Sequence, residues 1–221
     1  MAYLRLDERL QTAADLFPAC AYGADIGADH GRLSCFLLES GKCDRMCVAD
    51  ISAESLKKAD VLFSLRGVRP RADVTVGDGL SVLPQPAGAI AILGMGGHTL
   101  AGILEKGREQ LQRAVLILSA HTETHVLRRQ LAALGYWISV EKIAQAAGRF
   151  YVILRAEPGE EAYSEKQIWL GPRLMETKDP HYPAYLAWQM RVNAPKRTQE
   201  AARYMQWLKE EAQRVCNSTD D

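Results

Sequence analysis

Acidic residues and glycines directly follow a short apolar run in residues 24–31, which read Ala-Asp-Ile-Gly-Ala-Asp-His-Gly. Glycines let the backbone approach a ligand closely, and a helix that follows offers free N–H groups to carboxylate or phosphate. Asp50 ends a second apolar run about twenty residues later, where an acidic side chain can bind both hydroxyls of a ribose. Asp25 would repel a phosphate, and the glycines do not follow the dinucleotide pattern G-x-G-x-x-G. The spacing therefore predicts a nucleotide-like cofactor that lacks phosphate, and it favours one with a cationic centre.

Two further apolar runs end in a similar way. Residues 73–76 lead into Asp78 and Gly79, and residues 89–93 lead into Gly-Met-Gly-Gly at positions 94–97. In an open doubly wound sheet, the carboxyl ends of the strands line the binding crevice. These turns therefore predict that the functional residues collect at one edge of a sheet.

Apolar periodicity predicts strands that alternate with helices through the first two thirds of the chain. The strands are expected at 21–25, 45–50, 73–76, 89–93 and 114–119, and the helices at 4–17, 31–40, 52–62, 99–105 and 122–134. Strands at 136–142 and 149–156 follow, with only a glycine-bearing turn between them. This order favours an α/β fold with a doubly wound, mainly parallel sheet and an antiparallel hairpin at one edge.

The composition changes beyond residue 158, where Glu, Gln, Arg, Tyr and Trp become common. Apolar residues recur at helical intervals in residues 184–190 and 198–215, which predicts an antiparallel helix pair. We therefore expect a cofactor-binding domain over residues 1–157 and a small C-terminal helical appendage over residues 158–221.

The overall composition excludes several classes of protein. The chain has 221 residues, 48% of them hydrophobic, and its 27 basic and 27 acidic residues balance, which is typical of a soluble globular protein. The sequence predicts neither a signal peptide nor a membrane span, so we expect a cytoplasmic protein with no membrane partner. The five cysteines are expected to be reduced thiols. His121 and His125 lie four residues apart, but no third ligand is evident, and we predict no metal site.

The motifs at residues 25–30, 77–80 and 94–97, in this order and spacing, resemble those of the bacterial tRNA adenine-N1 methyltransferases of the TrmK type. The resemblance extends over residues 5–214. It implies a class I methyltransferase core followed by a C-terminal, coiled-coil-like helical domain. It also implies that S-adenosylmethionine is the cofactor and that the protein methylates N1 of adenosine 22 in tRNA.

The resemblance assigns cofactor-binding residues to three of the turns. Asp25 and Gly27 would bind the methionine end of the cofactor, and Asp50 would bind its ribose. The adenine would contact Ile51, Asp78, Gly79 and Leu80. The alternative is that these residues only form strand-to-helix turns or cap the helices that follow.

Catalytic residues are expected in the first and last of these motifs. The loop at 94–97 lies where amino-methyltransferases place the target base. Asp29 could stabilise a cationic product. His30 could orient the base or the carboxylate of the cofactor. A glycine turn chosen for its geometry and a helix-capping histidine are the alternatives. The predicted catalytic group is Asp29, His30, Gly94, Met95, Gly96 and Gly97.

Local clusters of basic residues are the candidates for contact with tRNA, although each could simply be solvated. Aromatic residues of the appendage, Tyr185, Trp188 and Trp207, are expected to pack on each other instead. The predicted RNA-binding residues are Arg66, Arg69, Arg71, Arg128, Arg129, Lys196 and Arg197.

The sequence also departs from the family pattern. Ala28 stands where Thr or Ser is usual, and Ser119, Ala120 and His121 stand where a Gln-Pro-Asn segment is typical. The second departure leaves open a methyltransferase of the same fold that acts on another RNA position or on a small molecule. A non-catalytic RNA-binding protein that retains the fold is a further alternative. We expect a monomer or a weak homodimer.

Overall fold

A computed structural model describes residues 3–177 and 179–217. Its centre is a seven-stranded sheet in the order β3-β2-β1-β4-β5-β7-β6. The strands are β1 (Cys20–Ile26), β2 (Cys43–Asp50), β3 (Ala72–Val76), β4 (Ala89–Met95), β5 (Val115–Ala120), β6 (Tyr136–Ala146) and β7 (Arg149–Pro158). The first five are parallel, and β7 is antiparallel to both β5 and β6. The predicted doubly wound sheet with an antiparallel edge hairpin is confirmed.

Helices cover both faces of this sheet. The helices are α1 (Glu8–Leu16), α2 (Arg32–Glu39), α3 (Ala53–Leu65), α4 (Gly97–Lys106), α5 (Arg108–Leu111), α6 (Thr124–Ala133), α7 (Glu165–Leu170), α8 (Pro172–Glu176), α9 (Tyr182–Asn193) and α10 (Gln199–Asn217). One apolar core packs α1, α2 and α3 against the sheet, and a second packs α4, α5 and α6 against the other face. Within the described ranges, no helix has the length and apolar character needed to cross a membrane.

Capping residues determine where two of the predicted helices begin. The Asp7 side chain accepts a hydrogen bond from the Leu10 N–H at 2.8 Å, so α1 begins at Glu8 and not at residue 4. Ser52 caps α3, since its side chain accepts from the Ser55 N–H at 3.2 Å, and this helix begins at Ala53. The apolar residues before α1 are therefore not part of the helix.

The C-terminal segment contains two helices beyond the predicted pair. Helix α7 begins with a capping box between Ser164 and Gln167, and α8 begins at Pro172. The apolar cluster of this segment includes Ile143 of β6 and Val152 of β7, so the helices pack directly on the edge hairpin. The same cluster takes in the aromatic side chains of Tyr185, Trp188 and Trp207, which confirms their predicted packing.

A buried ion pair connects the C-terminal helices with the sheet. Arg128 of α6 is 1% exposed and donates from Nε to Oε1 of Glu141, which is 0% exposed, at 2.8 Å. Arg128 also donates to the carbonyls of Ile168 and Trp169, and Glu141 Oε2 accepts from the Arg173 N–H at 3.0 Å. The predicted RNA contact of Arg128 was wrong, because its guanidinium is enclosed by protein and inaccessible to a nucleic acid.

We expect Arg128→Met to lower the free energy of unfolding by about 3–5 kcal/mol, because it leaves the Glu141 carboxylate buried without its partner. The adjacent Arg129→Met is the matched control. Arg129 pairs with Glu165 at the surface, so its loss should cost at most about 1 kcal/mol. Urea unfolding followed by circular dichroism measures both. Equal losses in the two variants would contradict the structural role assigned to Arg128.

Candidate active site

A cavity of about 990 Å³ opens at the carboxyl ends of β1, β2, β3 and β4. Its volume is in the range of small-molecule and cofactor sites. The parallel strands bring together the predicted residues from four separate strand ends, and Gly96 and Gly97 follow directly at the start of α4. The predicted residues that line the cavity are Asp25, Gly27, Asp29, His30, Asp50, Ile51, Asp78, Gly79, Leu80, Gly94 and Met95.

The end of β1 places a buried carboxylate beside a glycine that permits close approach. Asp25 is 4% exposed, and its Oδ2 accepts a hydrogen bond from the Ser34 hydroxyl at 2.6 Å. Burial raises the pKa of the Asp25 carboxyl to about 6, since desolvation disfavours its charged form. Gly27 has a φ of +72°, and a side chain at this position would collide with Met95. The site therefore holds a carboxylate that a bound cation would stabilise in its ionised form.

Backbone groups orient the carboxylate at the end of β2. Asp50 Oδ2 accepts from the Asp29 N–H at 2.9 Å, and Oδ1 accepts from the Ser52 N–H at 2.8 Å. Each oxygen retains acceptor capacity for a second hydrogen bond. Ile51, the next residue, is 74% exposed although its side chain is apolar. An oriented carboxylate beside an exposed apolar side chain suits a ribose with its attached base.

Asp29 and His30 lie on the same side of the cavity as Asp50. Asp29 has a φ of 49°, and its Oδ1 accepts from the Ser55 hydroxyl of α3 at 3.1 Å. The Nε2 atom of His30 is 3.5 Å from the same oxygen. These contacts hold the pair at the junction of β1, β2 and α3. Their catalytic roles stay predictions.

The turn after β3 contributes one exposed and one buried residue. Asp78 is exposed, and its carbonyl accepts from the Ser81 hydroxyl at 2.9 Å. Gly79 begins a short 3-10 helix, Gly79–Val82. The Leu80 side chain is 2% exposed and packs in the core beneath the cavity. Asp78 thus offers its carboxylate to a ligand, whereas Leu80 supports the floor of the site.

The loop after β4 is held against the loop that follows β5. The Gly97 N–H donates to the Thr122 carbonyl at 2.9 Å, and any side chain at position 97 would collide with the Glu123 backbone. Gly97 is therefore required by the close approach of two backbones. This contact fixes Gly94 and Met95, which precede it, at the wall of the cavity.

Arg9 and His121 line another side of the cavity, and Tyr151 packs against both of them. The sequence does not predict a role for Arg9 or Tyr151. The Arg9 guanidinium lies 5.5 Å from the centre of the Tyr151 ring, and the His121 ring meets the same ring edge-on at 5.4 Å. Nothing near Arg9 in the sequence signals this role, since α1 is brought to the site by packing on α2, β5, β6 and β7. For His121, the departure from the family pattern was the available signal.

His121 and His125, whose spacing is compatible with metal binding, contact different neighbours. The His125 ring stacks on Trp169 at 3.7 Å, whereas His121 contacts Tyr151. Among residues 3–177 and 179–217, no group of three or more His, Cys, Asp or Glu side chains is arranged to hold a metal ion.

The predicted RNA-binding cluster of Arg66, Arg69 and Arg71 leads into the first residues of β3. It therefore lies at the edge of the sheet opposite the cavity. Arg66 donates to Glu39 at 2.6 Å, and Arg69 forms an ion pair with Asp60. Part of the positive charge of this cluster is thus matched by acidic neighbours.

The remaining predicted RNA-binding residues belong to the helices of the second half of the chain. Arg129 forms an ion pair with Glu165. Lys196 and Arg197 are exposed in the link between α9 and α10. Their contact with RNA stays a prediction.

Comparison with known proteins identifies related sequences and structures. A family model described as tRNA (adenine(22)-N(1))-methyltransferase matches residues 23–215. The Bacillus subtilis (strain 168) tRNA (adenine(22)-N(1))-methyltransferase is 35% identical over 162 residues, which cover 72% of this chain and 68% of the relative.

Two solved structures match nearly the whole chain. Streptococcus pneumoniae Sp1610 in complex with S-adenosyl-L-methionine has a TM-score of 0.88 and 26% identity, covering 94% of this chain and 100% of the other. The Bacillus subtilis tRNA methyltransferase TrmK has a TM-score of 0.83 and 27% identity, covering 95% of this chain and 99% of the other.

We expect Asp25→Asn to stabilise the ligand-free protein at pH 8 by about 2–3 kcal/mol. The folded pKa of about 6 exceeds the ordinary value of 3.8, so the wild-type protein loses stability as the pH rises between these values. Asparagine carries no charge, and its oxygen can still accept from Ser34. Urea unfolding of both proteins between pH 4 and pH 8 measures the difference, which should fade toward pH 4. A difference that does not change with pH would contradict the assignment.

Proposed function

The chain belongs to the tRNA (adenine(22)-N(1))-methyltransferase family, and we propose that it transfers a methyl group from S-adenosylmethionine to N1 of adenosine 22 in tRNA. The observation that carries this proposal is the pairing, in one cavity, of the buried Asp25 with the backbone-oriented Asp50. Family membership supplies the reaction, and this arrangement supplies a site for its cofactor.

The residues at the ends of β1, β2 and β3 fit S-adenosylmethionine. The cavity is also lined by Arg9, Arg32 and Lys106, but Asp25, Asp29, Asp50 and Asp78 outnumber these basic side chains. A cationic group would therefore be attracted to the ends of β1, β2 and β3, and a phosphate would be repelled there. The raised pKa of Asp25 marks a carboxylate without a cationic partner in the protein itself. The negative charge of the Asp25 carboxylate thus complements the positive charge of an α-amino group or a sulfonium.

We assign the parts of the cofactor to this chain's residues accordingly. Asp25 and Gly27 would hold the methionine end, and the two oxygens of Asp50 would accept from the ribose hydroxyls. Ile51 would cover one face of the adenine, and Asp78 with Gly79 would bind its edge. When bound, S-adenosylmethionine supplies an electrophilic methyl group.

The protein's contribution to the transfer is mainly positional. N1 of adenine has a free lone pair once base pairing is broken, so no proton has to be removed from it. Holding the two reactants in line can contribute up to about 7–11 kcal/mol. The target base must leave its stack, which costs a few kcal/mol, and it would then lie against Gly94 and Met95. The rigid contact of Gly97 with the β5–α6 loop keeps this wall in place.

We further propose that residues 1–157 bind the cofactor and that residues 158–221 form an appendage that helps to hold tRNA. Lys196 and Arg197 support this, since both are exposed and basic. Arg66, Arg69, Arg71 and Arg129 remain candidates for contact with the phosphate backbone of tRNA. The protein would act in the cytoplasm, as a monomer or a weak homodimer.

We expect Asp50→Asn to weaken S-adenosylmethionine binding by about 10- to 100-fold. The amide nitrogen would face either a ribose hydroxyl or one of the two backbone N–H donors, so one accepted hydrogen bond is lost. Asp44→Asn is the matched control, because Asp44 is exposed at the other end of the same strand. This variant should bind the cofactor with the affinity of the wild type. Isothermal titration calorimetry measures both, and equal affinities would contradict the ribose assignment.

Methyl transfer from labelled S-adenosylmethionine to unmodified tRNA transcripts tests the function directly. We expect mass spectrometry of the nucleosides to show N1-methyladenosine, and we expect this product to disappear when adenosine 22 is replaced by guanosine. Cofactor binding without transfer, or transfer that persists after the replacement, would contradict the proposed substrate position.

A further inference from the structure

His121 lies where β5 ends, between the loop that follows β4 and the edge hairpin. Its backbone N–H donates to the Met95 carbonyl at 2.8 Å, which fixes the residue beside the wall of the cavity. A methyl group built on Gly94 would come within 3.7 Å of Cε1 and Nε2 of His121 and within 3.5 Å of Arg9 Nη1. The edge of the imidazole therefore borders the space directly above Gly94.

The strand order separates this space from the proposed cofactor site. Along the sheet, Asp50 ends β2, Gly27 follows β1 and Met95 ends β4. His121, directly after β5, and Tyr151 of β7 come next in the same order. Because β7 pairs with β5 only through Leu118 and its two predecessors, the hairpin extends past the end of β5. Tyr151 lies on this part of the hairpin, and both His121 and Arg9 pack against its ring.

The imidazole of His121 offers a free hydrogen-bond acceptor to this space. Within the described part of the chain, the contact of its ring is with Tyr151, and no hydrogen bond engages its nitrogens. Burial lowers the pKa of His121, and the positive charges of Arg9 and Arg149 lower it further. The ring is therefore neutral near pH 7, and a neutral imidazole has one nitrogen with a free lone pair.

We propose that His121 binds the target adenine by accepting a hydrogen bond from its exocyclic N6 amine, with Tyr151 and Arg9 forming the wall behind it. This contact rests on the proposed function. The amine is adjacent to N1 on the same edge of the base, so a group beside the wall at Gly94 and Met95 can reach it while N1 faces the cofactor site.

This hydrogen bond strengthens as the methyl group is transferred. Methylation of N1 places a positive charge on the base, and part of it resides on N6, whose N–H bonds become stronger donors. An acceptor at N6 thus stabilises the transition state more than the ground state, which is the condition for raising the rate.

A double-mutant cycle that combines a protein change with a base change tests the contact. The tRNA carries either adenosine or purine riboside at position 22, and purine riboside keeps N1 but lacks the amine. Single-turnover rates are measured for the wild-type protein and for His121→Ala. Purine also has an intrinsically less reactive N1, but this factor is the same for both proteins and cancels in the cycle.

We expect loss of the amine to slow the wild-type protein at least about 10-fold more than it slows His121→Ala. His121→Asn, which keeps an acceptor oxygen, should restore part of the difference between the two bases. His98→Ala is the matched control, because His98 also lines the cavity but should discriminate between the bases as strongly as the wild type. Cofactor affinity, measured alongside, verifies that each variant is folded.

The outcomes separate the two proposals. If the wild-type protein transfers no methyl group to adenosine 22, the proposed function fails. If it does so and loss of the amine slows the wild type and His121→Ala by the same factor, the function stands and the His121 contact is overturned. If His121→Ala no longer binds S-adenosylmethionine, the cycle is run with His121→Phe, which fills the same space but has no acceptor. A preference for adenosine weaker than that of the wild type then supports the contact, and an unchanged preference overturns it.

Discussion

Backbone hydrogen bonds that continue the sheet beyond its strands hold the whole site together. The N–H groups of Gly27 and Ala28 donate to the Ala49 carbonyl at 2.8 and 3.0 Å, and the Gly77 N–H donates to the Asp50 carbonyl at 3.0 Å. Three turns that are distant in sequence are thereby fixed to one another at the carboxyl edge. Side chains placed on such a frame need little reordering when a ligand binds, which preserves binding free energy that would otherwise be lost to entropy.

The same frame carries a group that opposes folding. Asp25 is enclosed on the floor of the cavity, and its Ser34 hydrogen bond compensates only part of the desolvation, as its raised pKa shows. A neutral residue would fold more favourably there. Interaction of the carboxylate with a cationic ligand would offset this desolvation cost. Functional sites commonly lower the stability of a fold in this way.

Local signals in the sequence predicted the strands, their order along the chain and most of the residues that line the cavity. Asp25, Asp50 and Asp78 could be identified because each follows an apolar run, and parallel strands bring such positions together. Arg128 could not be understood in this way, since its partner Glu141 belongs to another element and burial arises only after packing. Helix α7 does carry a local signal, the Ser164 capping box, but its segment is too short to show clear apolar periodicity. Arg9 reaches the site through tertiary packing alone.

The distribution of charge along the site edge matches two different ligands, although the chain as a whole has no net charge. Acidic side chains follow β1, β2 and β3, where Arg32 and Lys106 also line the cavity. Arg9 of α1 and Arg149, the first residue of β7, lie near His121 at the other end. A cationic cofactor and a polyanionic RNA would each be attracted to the end of opposite sign and repelled from the other. Because both ends lie on one rigid sheet, their separation is fixed by strand order. The proposed meeting point of the two ligands above β4, at Gly94 and Met95, lies between these two ends.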